Sequence, residues 1–195
     1  MRIIPTVIDE ENGKKISMDL FSRILKDRII TLFDDVNEIT AELVCSQMIY
    51  LDSVSNEPIK LYINSPGGSV IDGLAIVDTM NLIKSEVHTY CIGQAASMGA
   101  VLLMCGEKEY RHCTANSRVM IHQISGGVQG KGEDIKVSIK EIERLEGICL
   151  QLMSDATGKT VKQLEKDQRL DNYMDPNKAK SYGIVDKVLG KAGAA

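Results

Sequence analysis

Residues 59–92, IKLYINSPGGSVIDGLAIVDTMNLIKSEVHTYCI, change their hydrophobic period twice, and those changes decide the fold. IKLYINS (59–65) is rich in β-branched and aromatic residues and stops at the turn signal SPGG (65–68), so it reads as a buried strand. From Ser69 the apolar residues move to helical spacing through Val70, Leu74 and Val77, with Ser69 as the predicted cap. VHTYCIG (87–93) is strand again. A strand, a helical crossover and a second strand make a unit whose strands run parallel, and the class is α/β.

Working outward, DRIITLFDDV (27–36) reads as a short strand and an acidic turn, and TAELVCSQMIYLDS (40–53) as a helix packed on two faces. SMGAVLLMCG (97–106) reads as a short buried helix that Gly106 ends in the left-handed conformation. Two short strands are expected around YRHCT (110–114) and SRVMIHQ (117–123), followed by the glycine-rich ISGGVQGKG (124–132). The longest helix runs from about Glu133 to Asp155. Its seam is Ile135, Ile139, Ile142, Leu145, Cys149 and Leu152, while Lys136, Lys140, Glu143 and Glu146 face elsewhere. Pro176 and Gly183 bracket a last helix, and IVDKVL (184–189) is a last strand. The whole chain, 1–195, is expected to be one domain, with residues 1–20 a flexible arm and 190–195 a disordered tail.

A hydrophobic fraction of 44% and a charged fraction of 26% belong to an ordinary globular domain. A net charge of −4, aromatics of only 4% and no tryptophan argue against nucleic-acid binding. The five cysteines contain no Cys-x-x-Cys pair and read as reduced, mostly buried small hydrophobes, with no metal expected. MRIIPTVIDEENGKK (1–15) lacks a signal-peptide core and no apolar run could span a bilayer, so a cytoplasmic protein without membrane contact is expected.

Ser97 lies in GQAASMGA (93–100), among residues too small to shield it, where a strand gives way to a helix. Such a turn can present a nucleophilic hydroxyl, though Ala95 stands in the first glycine position of the Gly-x-Ser-x-Gly pattern, and this segment alone favours the serine as a helix cap. A base must come from elsewhere. His122 follows an apolar run and precedes the glycine-rich loop, whereas His88 and His112, with charged neighbours, read as solvated surface residues. Asp171, in the loop before the Pro176 helix, is the candidate orienting acid. Gly67 and Gly68 could aim backbone N–H groups at a developing oxyanion or simply form a tight turn.

Four stretches, LYINSPGGSVIDGLAIVDTM (61–80), CIGQAASMGAVLL (91–103), NSRVMIHQ (116–123) and DNYMDPNKAKSYGIVD (171–186), occur in the order in which they stand in the ClpP-type proteolytic subunits of Clp proteases, and the chain resembles that family from about Ile4 to Leu189. The resemblance implies the ClpP/crotonase-like spiral of parallel strands and helices with a protruding handle, here about residues 123–155. It implies a serine endopeptidase with Ser97 as nucleophile, His122 as base, Asp171 as orienting acid, and Gly68 and Met98 as oxyanion donors. Substrate backbone would pair with Ser69, Val70 and Ile71 on one side and Ile124, Ser125, Gly126 and Gly127 on the other. No cofactor is implied. Unfolded polypeptides would enter a chamber of two heptameric rings, built from this chain alone or mixed with a paralogue, fed by an AAA+ unfoldase of the ClpX, ClpC or ClpA type.

Three departures stand out against that family. Ile124 and Ser125 occupy positions usually held by proline and leucine, and Arg169 and Leu170 replace an acid and arginine that couple the rings. In the groove that receives ATPase loops, Tyr62, Leu82, Tyr90, Ile92 and Leu189 fit, but Lys60 replaces an aromatic. These departures motivate a second expectation, a weakly active ring subunit that needs a partner paralogue.

Overall fold

The computed structural model describes residues 4–11 and 13–190. A hairpin comes first, β1 (Thr6–Glu11) antiparallel to β2 (Lys14–Asp19), followed by α1 (Leu20–Lys26). The segment read as a flexible arm therefore takes regular pairing, although a two-stranded hairpin is only marginally stable by itself. Gly13, just before β2, has φ +75°, which glycine adopts readily.

The body then alternates β3 (Ile29–Leu32), α2 (Glu38–Val54), β4 (Ile59–Ser65), α3 (Val70–Leu82), β5 (Val87–Ala96) and α4 (Met98–Met104). It continues through β6 (Arg111–Thr114), β7 (Arg118–Ile121), α5 (Gly132–Thr157) and α6 (Val161–Asp167). β8 (Asn172–Met174), α7 (Pro176–Tyr182) and β9 (Lys187–Leu189) close the chain. Ser69 caps α3 by accepting the Asp72 N–H, and Pro176 and Gly183 bracket α7 as expected. Past Gly190, the predicted disordered tail lies outside the described residues.

The main sheet runs β3-β4-β5-β6-β9, with every one of these pairs parallel. β5 changes neighbour part-way. Thr89–Cys91 pair with β6, but Gln94–Ala96 pair with β7, which is itself antiparallel to β8. The change falls at Gly93, φ +81°, where the Asn64 side chain accepts the Gln94 N–H and the β4 register slips. A parallel sheet that parts at the carboxyl ends of its strands leaves a crevice there, the usual ligand position in α/β folds.

Helices α2, α3 and α4 cover one face. All seven residues of α4 are buried, as a helix apolar on every side requires. Burying side chains such as Leu102, Leu103 and Met104 contributes ~1.5–3 kcal/mol each. The left-handed ending expected at Gly106 is not present: Cys105 caps α4 in the right-handed conformation, and Gly106 instead lets Thr89 approach. A Cβ there would lie 2.3 Å from Thr89 Oγ1.

β4 is not buried throughout: Ile59, Leu61 and Ile63 face the helices while Lys60 and Asn64 are exposed on the opposite side. His88 and His112 are not solvated. They are buried in an aromatic layer on that opposite side, His88 stacked on Tyr110 at 4.0 Å and His112 on Tyr90 at 4.6 Å, with Tyr62 beside Tyr90. Arg111, next to His112, bonds both carboxylate oxygens of Asp186 and the Ala156 carbonyl, pinning β6 to the end of α5.

α5 has two unlike halves. Its buried residues, Cys149, Leu150 and Met153, lie near the carboxyl end, while Val137 and Ile139 near the amino end are exposed. The predicted seam is thus sheltered at one end and open at the other.

Candidate active site

β5 ends at Ala96, and the chain turns sharply at Ser97, with φ 53° and ψ −123°, before α4 begins at Met98. For a residue with a Cβ this conformation costs ~1–3 kcal/mol. It is held from both sides: the Ser97 N–H donates to Met120 O on β7 at 2.9 Å, and the Ser97 carbonyl accepts from Ala100 and Val101. Ser97 therefore starts α4 with its backbone alone. Its side chain makes no capping bond, and Oγ lies 2.9 Å from Nε2 of His122.

His122 follows β7 directly, so the pairing of β5 with β7 brings imidazole and hydroxyl together. Its other nitrogen, Nδ1, is 3.3 Å from Oδ1 of Asp171. Asp171 comes from the loop between α6 and β8. That loop is tied down by Gln123 N–H to Gln168 O, Asn172 Nδ2 to Asp167 O, and the Tyr182 hydroxyl to Asp167. The Asp171 carboxylate is nevertheless 54% exposed, against 24% for the imidazole.

The glycine pair packs against the serine turn. Gly67 has φ +95° and Gly68 +147°, and Val36 clamps both by donating to Gly67 O and accepting from Ser69 N–H, each at 2.8 Å. A Cβ on Gly67 would stand 2.6 Å from Ser97 Cβ, and one on Gly68 would stand 2.2 Å from Val36 O. No side chain fits at either. The N–H groups of Gly68 and Met98 donate to no acceptor among the described residues, and both residues line the cavity that holds Ser97 and His122. Fixed donors beside a hydroxyl are suited to a negative charge on a bound group.

Of the expected substrate-binding residues, Val70, Ile124 and Ser125 line this cavity, whereas Ser69, Ile71, Gly126 and Gly127 do not. Val70 and Ile71 form the first turn of α3, so helix-start N–H groups and not a strand edge lie there. The cavity also takes residues that the sequence reading passed over: Glu146, Cys149, Leu150 and Met153 from α5, and Gln168. Glu146 does not face elsewhere. It stands three and four residues before Cys149 and Leu150, the spacing that shares one helix face. Burial, and then the Glu146 charge, push the Cys149 thiol above its ordinary value.

Among the described residues no group of three or more His, Cys, Asp or Glu side chains could hold a metal ion. No helix among them is long and apolar enough to cross a membrane.

The sequence model of the Clp protease family matches residues 11–192, nearly the whole chain, and the chain belongs to that family. The mixed α/β architecture with its mostly parallel sheet agrees with the ClpP/crotonase-like fold. Membership implies a serine peptidase and, in general terms, oligomeric rings that work with Clp ATPases.

Proposed function

We propose that Ser97, His122 and Asp171 are the nucleophile, general base and orienting acid of a serine endopeptidase that cuts unfolded polypeptides into short peptides. The observation that carries this reading is the 2.9 Å contact between Ser97 Oγ and His122 Nε2, with Asp171 on the far nitrogen. As Oγ attacks a peptide carbonyl its proton passes to Nε2, while Asp171 holds the Nδ1–H tautomer and stabilises the imidazolium. The N–H groups of Gly68 and Met98 receive the oxyanion. His122 then protonates the leaving amine, and water taken through the same imidazole releases the acyl group from Ser97.

The exposed apolar surfaces support an assembled, fed chamber. Phe21, Phe33 and Leu43 are exposed around an apolar groove between α1 and α2, a surface suited to a lateral ring neighbour. Exposed Val137 and Ile139 on the free half of α5 suit a facing ring. On the aromatic side of the sheet, Ile92, two residues beyond Tyr90, and Leu189, paired with Thr114, are exposed, fitting an aliphatic loop of an AAA+ unfoldase of the ClpX, ClpC or ClpA kind; Leu82 is exposed at the end of α3. Residues 1–20 would then form the axial arm.

A second reading, a subunit that is weak alone, is favoured by one feature: Leu170 is 82% exposed beside the half-open Asp171. A neighbour that covered Leu170 would also order the acid. Hydrolysis of a fluorogenic peptide by the purified protein, with native mass measured in parallel, tests both. Cleavage that Ser97→Ala abolishes without changing the assembly is expected; cleavage at the parent rate in that variant contradicts the assignment.

A further inference from the structure

The cavity beside Ser97 runs along apolar side chains to a single carboxylate. Val70, Met98, Ile121, Leu150 and Met153 contribute its walls, and Glu146 stands among them. Glu146 is half-buried and makes no hydrogen bond or ion pair with any described residue. Apart from His122, no basic side chain lines the cavity. Glu146 shares a helix face with Cys149 and Leu150, which line the cavity with it. A partly desolvated anion without a partner is unfavourable, and a cation brought to it relieves that cost. Lysine and arginine have the matching shape, an apolar stem to lie along Leu150 and Met153 and a charged head to reach past them.

We propose that Glu146 makes the pocket beside Ser97 a site for lysine or arginine at the substrate position whose carbonyl is attacked, and disfavours aspartate and glutamate there. The inference rests on Ser97 being the nucleophile. It names the chemical class of side chain preferred at the cut: basic-tipped and long, not simply apolar. Glu146 does not touch the reacting atoms; its contribution is selection.

Peptidyl diphenyl phosphonates that differ only in this side chain test it with the full-length, assembled protein. Ser97 Oγ bonds to phosphorus, one phenol leaves, and the serine proton departs with it through His122, so adduct mass reports each reaction. Rates are compared for lysine-, leucine- and glutamate-type probes. Glu146→Gln should lower the lysine-to-leucine rate ratio about tenfold, the scale of one charge-assisted hydrogen bond, and Glu146→Lys should turn the preference toward the glutamate-type probe. A rate ratio that is the same in the parent and in both variants overturns the inference while leaving the nucleophile intact. No adduct at Ser97 with any probe would overturn the nucleophile reading and this one together, so the two failures are distinguishable.

Discussion

His122 lies just past the end of β7 and His112 within β6, and their surroundings are opposite. At the carboxyl ends of β5 and β7, His122 has a polar partner on each ring nitrogen, Ser97 on one and Asp171 on the other. In β6, His112 is 6% exposed, stacked on Tyr90, and its Nδ1 has no partner among the described residues. Burial holds His112 below the ordinary histidine value, so at neutral pH it is an uncharged aromatic spacer. An imidazole does acid–base work where partners fix its tautomer and water can reach it, and fills space where neither holds.

The comparison breaks most severely at the first site. His122→Ala should lower peptide turnover by up to ~10⁶, the scale seen when one member of a triad is removed, with little change in melting temperature. His112→Phe should leave turnover nearly unaltered. Equal losses in the two variants would remove the distinction. Asp171→Asn comes next, with a fall of up to ~10⁴ because the wrong tautomer is favoured. A loss below tenfold would mean that another acid, or water, orients His122.

The third prediction concerns the structural ion pair beside His112. Burial raises the Asp186 carboxyl, but hydrogen bonds and charge from Arg111 outweigh it, and the group ends below its ordinary 3.8. Its contribution is therefore complete above that value and is lost as pH falls through the lower folded one. Asp186→Asn should cost ~3–5 kcal/mol at neutral pH, because it leaves the buried Arg111 charge unpaired. Denaturant titration measures this. A cost under 1 kcal/mol would show that the Met104 and Ala156 carbonyls satisfy Arg111 unaided.

The smallest effect belongs to His112 itself. With the folded value below the unfolded 6.5, the unfolded chain binds more protons between the two. Stability should be full above about pH 6.5 and fall as the pH is lowered through that window. His112→Phe should flatten this part of the profile, and an unchanged slope would assign it to another group.

Much of the scaffold is legible in sequence because its signals are local. Ser69, Pro176 and Gly183 mark helix ends through their own chemistry, and α3 and α5 repeat their apolar residues over several turns. What escapes is set by distant partners. β8 is three residues long and exists through its antiparallel pairing with β7, and seven-residue α6 buries only Leu164. His88 and His112 have charged sequence neighbours but tyrosine ring neighbours, a fact of strand register and not of order along the chain. At the candidate site, spacing alone favours Ser97 as a cap, and family resemblance singled out His122 and Asp171. Helical spacing places Glu146 three residues before the seam residue Cys149 and four before Leu150, a signal that could have found it.

The central claim is that the hydroxyl of Ser97 is activated by His122. Intact-mass analysis after brief exposure to a fluorophosphonate tests it most directly, since fluoride leaves as Oγ bonds to phosphorus. The account predicts one adduct per chain, mapped to Ser97, absent in Ser97→Ala and strongly slowed in His122→Ala. Labelling that persists at the parent rate in Ser97→Ala, or maps to another residue, would contradict it.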